Sequence, residues 1–339
     1  MLNEGRYKRQ AALGVIGPVG QRKLAGSTVL VVGCGALGSM QAEFLARAGV
    51  GRLILADRDI LELHNLQSQL LYDEKDVAGR LPKAEAAARR LRAVNSSIKI
   101  EAVITDVNAA NIEELAGPAD IILDASDNFG TRYLLNDAAV RAGKPWVYGG
   151  VLGKDGMVLA VRPGQGPCLR CVFEEPPEGR RLQTCDTQGV LNTAVAWTAA
   201  LQVTEALKFL TGAAAESRLH TLDVWSCSAG SIAAQRRAGC VCCGLRRFEF
   251  LDAAPGAAPT LLCGRHAVQL VARAKPGPDF ARLSEKLAPL GAVTANGLLL
   301  EFTCGAHRLV VFADGRVLVM GTADTDEAKR LAEKYIWNL

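Results

Sequence analysis

The sequence predicts an α/β protein: a doubly wound, largely parallel sheet with helices on both faces, followed by a small C-terminal α/β domain. Three observations carry this reading. Short β-branched runs alternate with helical stretches between residues 28 and 161, which calls for right-handed crossovers and a parallel sheet. The first run breaks at a glycine-rich turn, GCGALG (33–38), directly before a helix. A Pro/Ala/Gly stretch, LDAAPGAAP (251–259), reads as a linker between residues 1–250 and a tail at 260–339.

Taken in order, residues 6–26 are polar and mixed and read as a helical N-terminal arm. Thr28–Gly33 is a buried strand, SMQAEFLARAG a helix closed at Gly49, and Arg52–Ala56 a strand ending at Asp57. An Ala/Arg-rich amphipathic helix covers 82–94, followed by a strand at Lys99–Val103 and a short helix at Asn111–Leu115. A strand at Ile121–Asp124, a helix at Thr131–Ala142 and strands from Trp146 and at 156–161 complete the alternation. Residues 163–189 lack periodicity and are rich in Pro, Gly and Arg, which reads as a long functional loop. Asn192–Thr211 is a helix, and strands are expected around 220–237. The tail reads as a helix, several strands and a closing helix (Asp326–Tyr335), with Asp314-Gly315 marking a hairpin.

Composition narrows the function. Half of the 339 residues are hydrophobic, enough for a sizeable core, and a net charge of +4 without a basic run argues against nucleic acid. The N-terminus, MLNEGRYKRQ, has no apolar signal region, and no run approaches the length of a membrane span, so a soluble cytoplasmic protein is expected. Ten cysteines in a chain of this size suggest metal or thiol chemistry rather than a disulfide scaffold.

The turn Gly33-Cys34-Gly35-Ala36-Leu37-Gly38 has the make-up of a phosphate cradle: glycines admit a phosphate to the backbone, and the helix start offers N–H donors. Asp57, at the end of the second strand, is placed to accept from ribose hydroxyls. This much fits a nicotinamide or flavin enzyme equally, or a turn needed only for packing. Residues further along the chain favour a triphosphate: Asp59, then HNLQSQ (64–69), then Pro82-Lys83, where a lysine can neutralise charge during attack at an α-phosphorus. Asp127, in LDASDN (123–128), is a candidate Mg²⁺ ligand.

Cys168-x-x-Cys171 and Cys240-x-x-Cys243 form two knuckles able to bind one tetrahedral zinc, a closed and structural site. Cys243 is preferred over the neighbouring Cys242 because the two-residue spacer lets both sulfurs face one ion. Cys185, after Arg180 and Arg181 and before a helix, is a candidate activated thiol or an inert loop cysteine. Cys34, Cys227, Cys263 and Cys304 read as buried apolar cysteines.

As a set, RYKRQ (6–10), GCGALG, AGVGRLILADRD (48–59), NLQ (65–67), PK (82–83), LDASDN, PCLRC (167–171), TCDTQGV (184–190) and CVCC (240–243) resemble the ThiF/MoeB/HesA family, bacterial relatives of ubiquitin-activating enzymes. The resemblance covers residues 5–245; the tail resembles an extension found on some of these proteins. It implies a homodimer that binds ATP and Mg²⁺ and adenylates the terminal glycine of a ThiS- or MoaD-type sulfur carrier, with a cysteine desulfurase-like sulfur donor downstream. It further implies nucleotide contacts from Gly33, Gly35, Ala36, Gly38, Asp57, Asp59, Asn65, Gln67, Ser68, Lys83, Asp127 and Asn128. Arg9 would be supplied by the opposite subunit, Cys168, Cys171, Cys240 and Cys243 would hold zinc, and Cys185 would be a conditional thiol.

One position departs from the family. NLQRQ is its usual motif, with the arginine on the phosphates, and here that residue is Ser68. Loss of a charge-assisted contact costs on the order of 1.5–3 kcal/mol, a ten- to hundredfold effect on the step it serves. Arg80, Arg58 and Arg9 are candidates to compensate. Ser68 also keeps open a non-catalytic paralogue that binds carrier or nucleotide, alongside the weaker oxidoreductase alternative.

Overall fold

The computed structural model describes residues 4–177, 188–213, 217–253, 260–262, 266–271 and 277–337. They divide into two compact units, Met1–Ala254 and Pro255–Leu339.

The first unit opens with helices α1 (Glu4–Ala11) and α2 (Gly17–Gly26). The strand–helix alternation then runs through β1 (Thr28–Val32), α3 (Ala36–Ala48), β2 (Arg52–Asp57), a 3₁₀ turn (Leu63–Gln67), α4 (Glu74–Ala78), α5 (Lys83–Val94) and β3 (Lys99–Ile104). After α6 (Ile112–Ala116) come β4 (Ile121–Asp124), α7 (Phe129–Ala142), β5 (Trp146–Leu152) and β6 (Asp155–Val161). The short α8 (Leu169–Val172), the long α9 (Asn192–Thr211), β7 (Arg218–Asp223) and β8 (Ser228–Ala233) complete the unit.

The eight strands form one sheet in the order β3-β2-β1-β4-β5-β6-β7-β8. From β3 to β5 every pairing is parallel. Beyond β5 the sheet continues as an antiparallel meander. The parallel half is apolar on both faces, as crossover helices require. Leu30, Val32, Ile54 and Ile122 pack with Ile112, Leu135 and Ala139 on one face. Val29, Val31, Leu53 and Leu55 pack with Leu45, Ala87 and Leu91 on the other. Each of these Val, Leu and Ile side chains stabilises the fold by roughly 1.5–3 kcal/mol when fully buried.

The N-terminal arm is two helices fixed to the body by polar contacts. Asn95 Nδ2 donates to the buried Tyr7 hydroxyl at 2.8 Å, Gln10 Nε2 to the Ala48 carbonyl at 2.8 Å, and Arg6 to the Val94 carbonyl at 3.0 Å. The stretch expected as one long loop from 163 contains the helical turn α8, started at Cys168. Residues 178–187 lie outside the described set.

The second unit carries a six-stranded antiparallel sheet, ordered β11-β12-β13-β14-β10-β9. Its strands are β9 (Thr260–Leu262), β10 (Ala267–Leu270), β11 (Ala292–Ala295), β12 (Leu299–Cys304), β13 (His307–Phe312) and β14 (Val317–Met320). Helices α10 (Phe280–Leu287) and α11 (Thr325–Ala332) share a core with it: Val268, Leu283, Leu287, Leu300, Phe302, Val311, Val319 and Ala328. Asp314-Gly315 makes the expected hairpin, with Gly315 N donating to the Phe312 carbonyl at 2.9 Å. Among the described residues no helix is long and apolar enough to cross a membrane.

Candidate active site

Strand order reverses at β1, which has β2 on one side and β4 on the other. The crevice at their carboxyl ends is where open parallel sheets bind ligands. The glycine turn lies here. Gly33 has φ +96°, and a Cβ on it would fall 2.5 Å from the Ala125 carbonyl oxygen. A Cβ on Gly38 would fall 1.9 Å from the Gly33 carbonyl oxygen. The turn can close only with glycine at both positions. Gly35 N-caps α3, whose first residue is Ala36, so the first amides of that helix face the crevice without helical partners. Gly38→Ala is expected to cost about 1–3 kcal/mol by overpacking and to abolish nucleotide-induced thermal stabilisation; unaltered nucleotide binding would exclude this cradle.

Asp57 is held where β2 ends. Its Oδ2 accepts from Cys34 N and its Oδ1 from Asp59 N, both at 2.6 Å, and each oxygen keeps acceptor capacity for a ribose hydroxyl. Burial pushes its carboxyl up, against the pull of Lys83, and Asp59 adds to the push. Lys83 begins α5, yet its side chain is only 4% exposed. The Ile60–Pro82 bridge joins the two loops, and Lys83 N donates to the Asp59 carbonyl at 2.9 Å. Nζ then meets Asp59 Oδ2 at 3.2 Å. Lys83 is therefore a desolvated, preorganised cation beside the turn.

Asp127 is exposed after β4. Arg58 ties it electrostatically to the cluster: burial opposes the Arg58 charge, but Asp106, Asp59, Asp127 and Asp57 outweigh it and raise its pKa. Arg58 meets Asp106 at 3.1 Å and Asp59 at 4.0 Å. Asn128 caps α7, its Oδ1 accepting from Thr131 N at 2.8 Å, and Asn65 Oδ1 similarly accepts from Glu62 N at 3.0 Å. Gln67 is exposed and Ser68 buried. Arg9 is exposed on α1.

Two further residues belong here. The buried Tyr72 hydroxyl donates to the Cys34 carbonyl at 2.6 Å and lies 3.2 Å from the Lys83 carbonyl, joining the turn to α5. Nothing local in the sequence signals this. Gln69 is buried, with Nε2 4.0 Å from where a Cβ on Gly35 would sit. Its Oε1 is buried and has no hydrogen bond among the described residues. Gln69 closes the HNLQSQ motif, which was its only signal. Cys34 is a buried thiol whose pKa burial raises strongly, as its apolar reading requires.

The four knuckle cysteines converge: the sulfurs of Cys168, Cys171, Cys240 and Cys243 all lie within 4.8 Å of one another. Cys168–Cys240 is 3.5 Å, Cys171–Cys243 3.4 Å and Cys168–Cys171 3.9 Å. A tetrahedral ion with metal–sulfur bonds of about 2.3 Å sets sulfurs roughly 3.8 Å apart, so this cluster can hold a metal. Arg237 N donates to Cys171 Sγ at 3.5 Å, an outer-shell contact of the kind that orients a thiolate ligand. Cys242 is not one of the converging four: it accepts from Asn136 Nδ2 at 3.2 Å and hydrogen-bonds Cys168 from the side.

Cys185 and Cys263 lie outside the described residues. Cys227 corrects the expectation of burial: it is exposed, with φ +52°, in the turn joining β7 to the edge strand β8. Cys304 is partly buried.

A glycine turn at a switch point, ringed by a buried lysine and carboxylates, is the constellation of a nucleotide-binding α/β protein. Residues 7–242 match the ThiF family, and the chain belongs to it. It is 42% identical over 335 residues to the sulfur carrier protein ThiS adenylyltransferase of Bacillus subtilis strain 168, covering 98% of this chain and 99% of that protein. A sulfur carrier protein adenylyltransferase of Thermus thermophilus is 39% identical over 246 residues, 70% of this chain and 90% of that protein. The crystal structure of E. coli MccB matches with a TM-score of 0.63 at 25% identity, across 71% of this chain and 73% of MccB.

Proposed function

We propose that this chain is an ATP-dependent adenylyltransferase acting on the C-terminal glycine of a ThiS-type sulfur-carrier protein. The observation that carries this is the match to the Bacillus ThiS adenylyltransferase along nearly the whole of both chains. The convergence of Lys83, Asp57 and Asp59 on the glycine turn supports it.

The carrier's terminal carboxylate is ionised at neutral pH and attacks the α-phosphorus of Mg·ATP. A bond forms from carboxylate oxygen to phosphorus as the bond to the β-phosphate bridging oxygen breaks. Pyrophosphate leaves with the electron pair, no proton moves, and no general base is needed. Catalysis is then positioning and charge neutralisation. Lys83 faces the developing charge, Asp127 would hold the nucleotide's Mg²⁺, and Asp57 takes the ribose. Residues 1–250 form the adenylation domain, joined through 251–259 to the C-terminal domain at 260–339. Exposed on a pinned helix, Arg9 is suited to reach a second copy in a homodimer. Four thiolates suit zinc, which would fix the knuckles and take no part in the chemistry. The acyl-adenylate is open to a sulfur donor, with Cys185 as the candidate thiol.

The test is ATP–pyrophosphate exchange with a ThiS-type carrier and with the same carrier lacking its last two residues. Exchange with the first alone is expected; no exchange with any Gly-Gly-tailed carrier would leave the non-catalytic paralogue. Ser68 favours that paralogue, since its hydroxyl brings no charge to the phosphates. Ser68→Arg is expected to raise kcat/KM for ATP about tenfold through one charge-assisted contact. Exchange appearing only in Ser68→Arg would establish the paralogue.

A further inference from the structure

The turn Asp124–Asp127, which carries the exposed Asp127, is fixed from beneath by two buried charges. Asp124 is 0% exposed and Arg132 8%. Asp124 Oδ1 accepts from Ser126 N at 2.9 Å and from Ser126 Oγ at 2.6 Å. Its Oδ2 lies 3.4 Å from Arg132 Nε. Arg132 Nη2 donates to the Ser126 carbonyl at 3.0 Å and the Gly149 carbonyl at 3.4 Å. The guanidinium also lies 5.1 Å from the Phe129 ring centre and 5.3 Å from that of Tyr148. The Asp124 carbonyl is held in turn by Gln41 Nε2 at 3.0 Å and Gln202 Nε2 at 2.8 Å.

A buried ion pair is an expensive way to stabilise a core, and apolar residues of similar volume serve stability as well. This pair instead makes three hydrogen bonds to Ser126, immediately before Asp127, and two longer ones to Gly149 on β5. The same turn supports the phosphate cradle, because Ala125 is the residue that Gly33 and Gly38 pack against.

We propose that Arg132 is a positioning residue for the nucleotide-bound cation: with Asp124 and Ser126 it sets the turn from which Asp127 reaches Mg²⁺. Arg132 lies one helical turn past the Asn128 cap, which aims it back at the turn. The inference rests on the adenylyltransferase reading for the identity of the ligand.

The experiment titrates Mg²⁺ against ATP binding, by calorimetry on the full chain without carrier, for the parent protein and Arg132→Lys. Lysine keeps the charge but cannot span Asp124, Ser126 and Gly149 together. The Mg²⁺ concentration at half-saturation is expected to rise about tenfold, in line with outer-shell substitutions, while ATP binding without Mg²⁺ is unchanged. A merely structural role lowers the melting temperature and leaves the Mg²⁺ midpoint in place; that result overturns the proposal. If Arg132→Lys does not fold, Ser126→Ala carries the test, since it removes the hydroxyl bond to Asp124 and should shift the midpoint in the same direction. No shift in Ser126→Ala overturns it equally. A parent protein that fails to bind ATP overturns the adenylyltransferase reading and this inference with it; a parent that binds and a variant that matches it overturn this inference alone.

Discussion

Lys83→Ala lowers carrier-dependent pyrophosphate exchange by about 10²- to 10³-fold, the effect of removing one preorganised stabiliser of transition-state charge. The expectation rests on burial. An ammonium in water must shed solvent before it helps a phosphate, whereas Lys83 is already desolvated and held at 3.2 Å by Asp59. The fall should appear in kcat more than in the KM for ATP, because the charge it meets grows along the reaction. A second consequence concerns pH. Lys83 is the strongest influence holding the Asp57 carboxyl down against burial. Without it, Asp57 stays protonated to higher pH, and the acid limb of ATP binding moves upward. Unchanged exchange in Lys83→Ala, or an acid limb that does not move, would remove Lys83 from the site.

Cys240→Ser releases the metal and unfastens the knuckles. Purified under reducing conditions, the parent protein should carry one zinc per chain and Cys240→Ser should not. Structural zinc contributes roughly 10–16 kcal/mol to small domains. If even about 3 kcal/mol of that reaches the global stability, the midpoint falls by roughly 6–12 °C for a domain of this size. Cys242→Ser is the control: its sulfur contacts Asn136 and Cys168 but is not one of the four that converge, so metal content should be retained. A metal-free parent protein, or equal zinc loss in both variants, would refute the four-thiolate site.

The parallel half of the sheet was legible because its signals are local. Thr28–Val32, Arg52–Asp57 and Ile121–Asp124 fall where apolar runs meet glycine or acid. The antiparallel half was less so. Ser228–Ala233 is exposed at every position, so it has no apolar alternation to read, and its place at the sheet edge depends on pairing with Arg218–Asp223. The cysteine knuckles announced themselves by spacing. Lys83 was legible as a phosphate lysine but its burial was not: a lysine at a helix start resembles a solvated charge, and the Ile60–Pro82 bridge puts it under Asp59. Tyr72 and Arg132 act on backbone carbonyls of neighbouring elements, which no spacing rule reports.

Helix α7 gives the cysteine knuckle a route to the nucleotide end. Asn128 caps it beside Asp127, while further along Asn136 Oδ1 accepts from Leu169 N, between Cys168 and Cys171, and Asp137 Oδ2 accepts from Phe250 N. From Asn128 to Asn136 the helix climbs roughly 12 Å, and it meets the knuckle through an uncharged hydrogen bond, Leu169 N to Asn136 Oδ1. The knuckle therefore works on that end as an anchor bolt. Its loss would arrive there as slack in a strut.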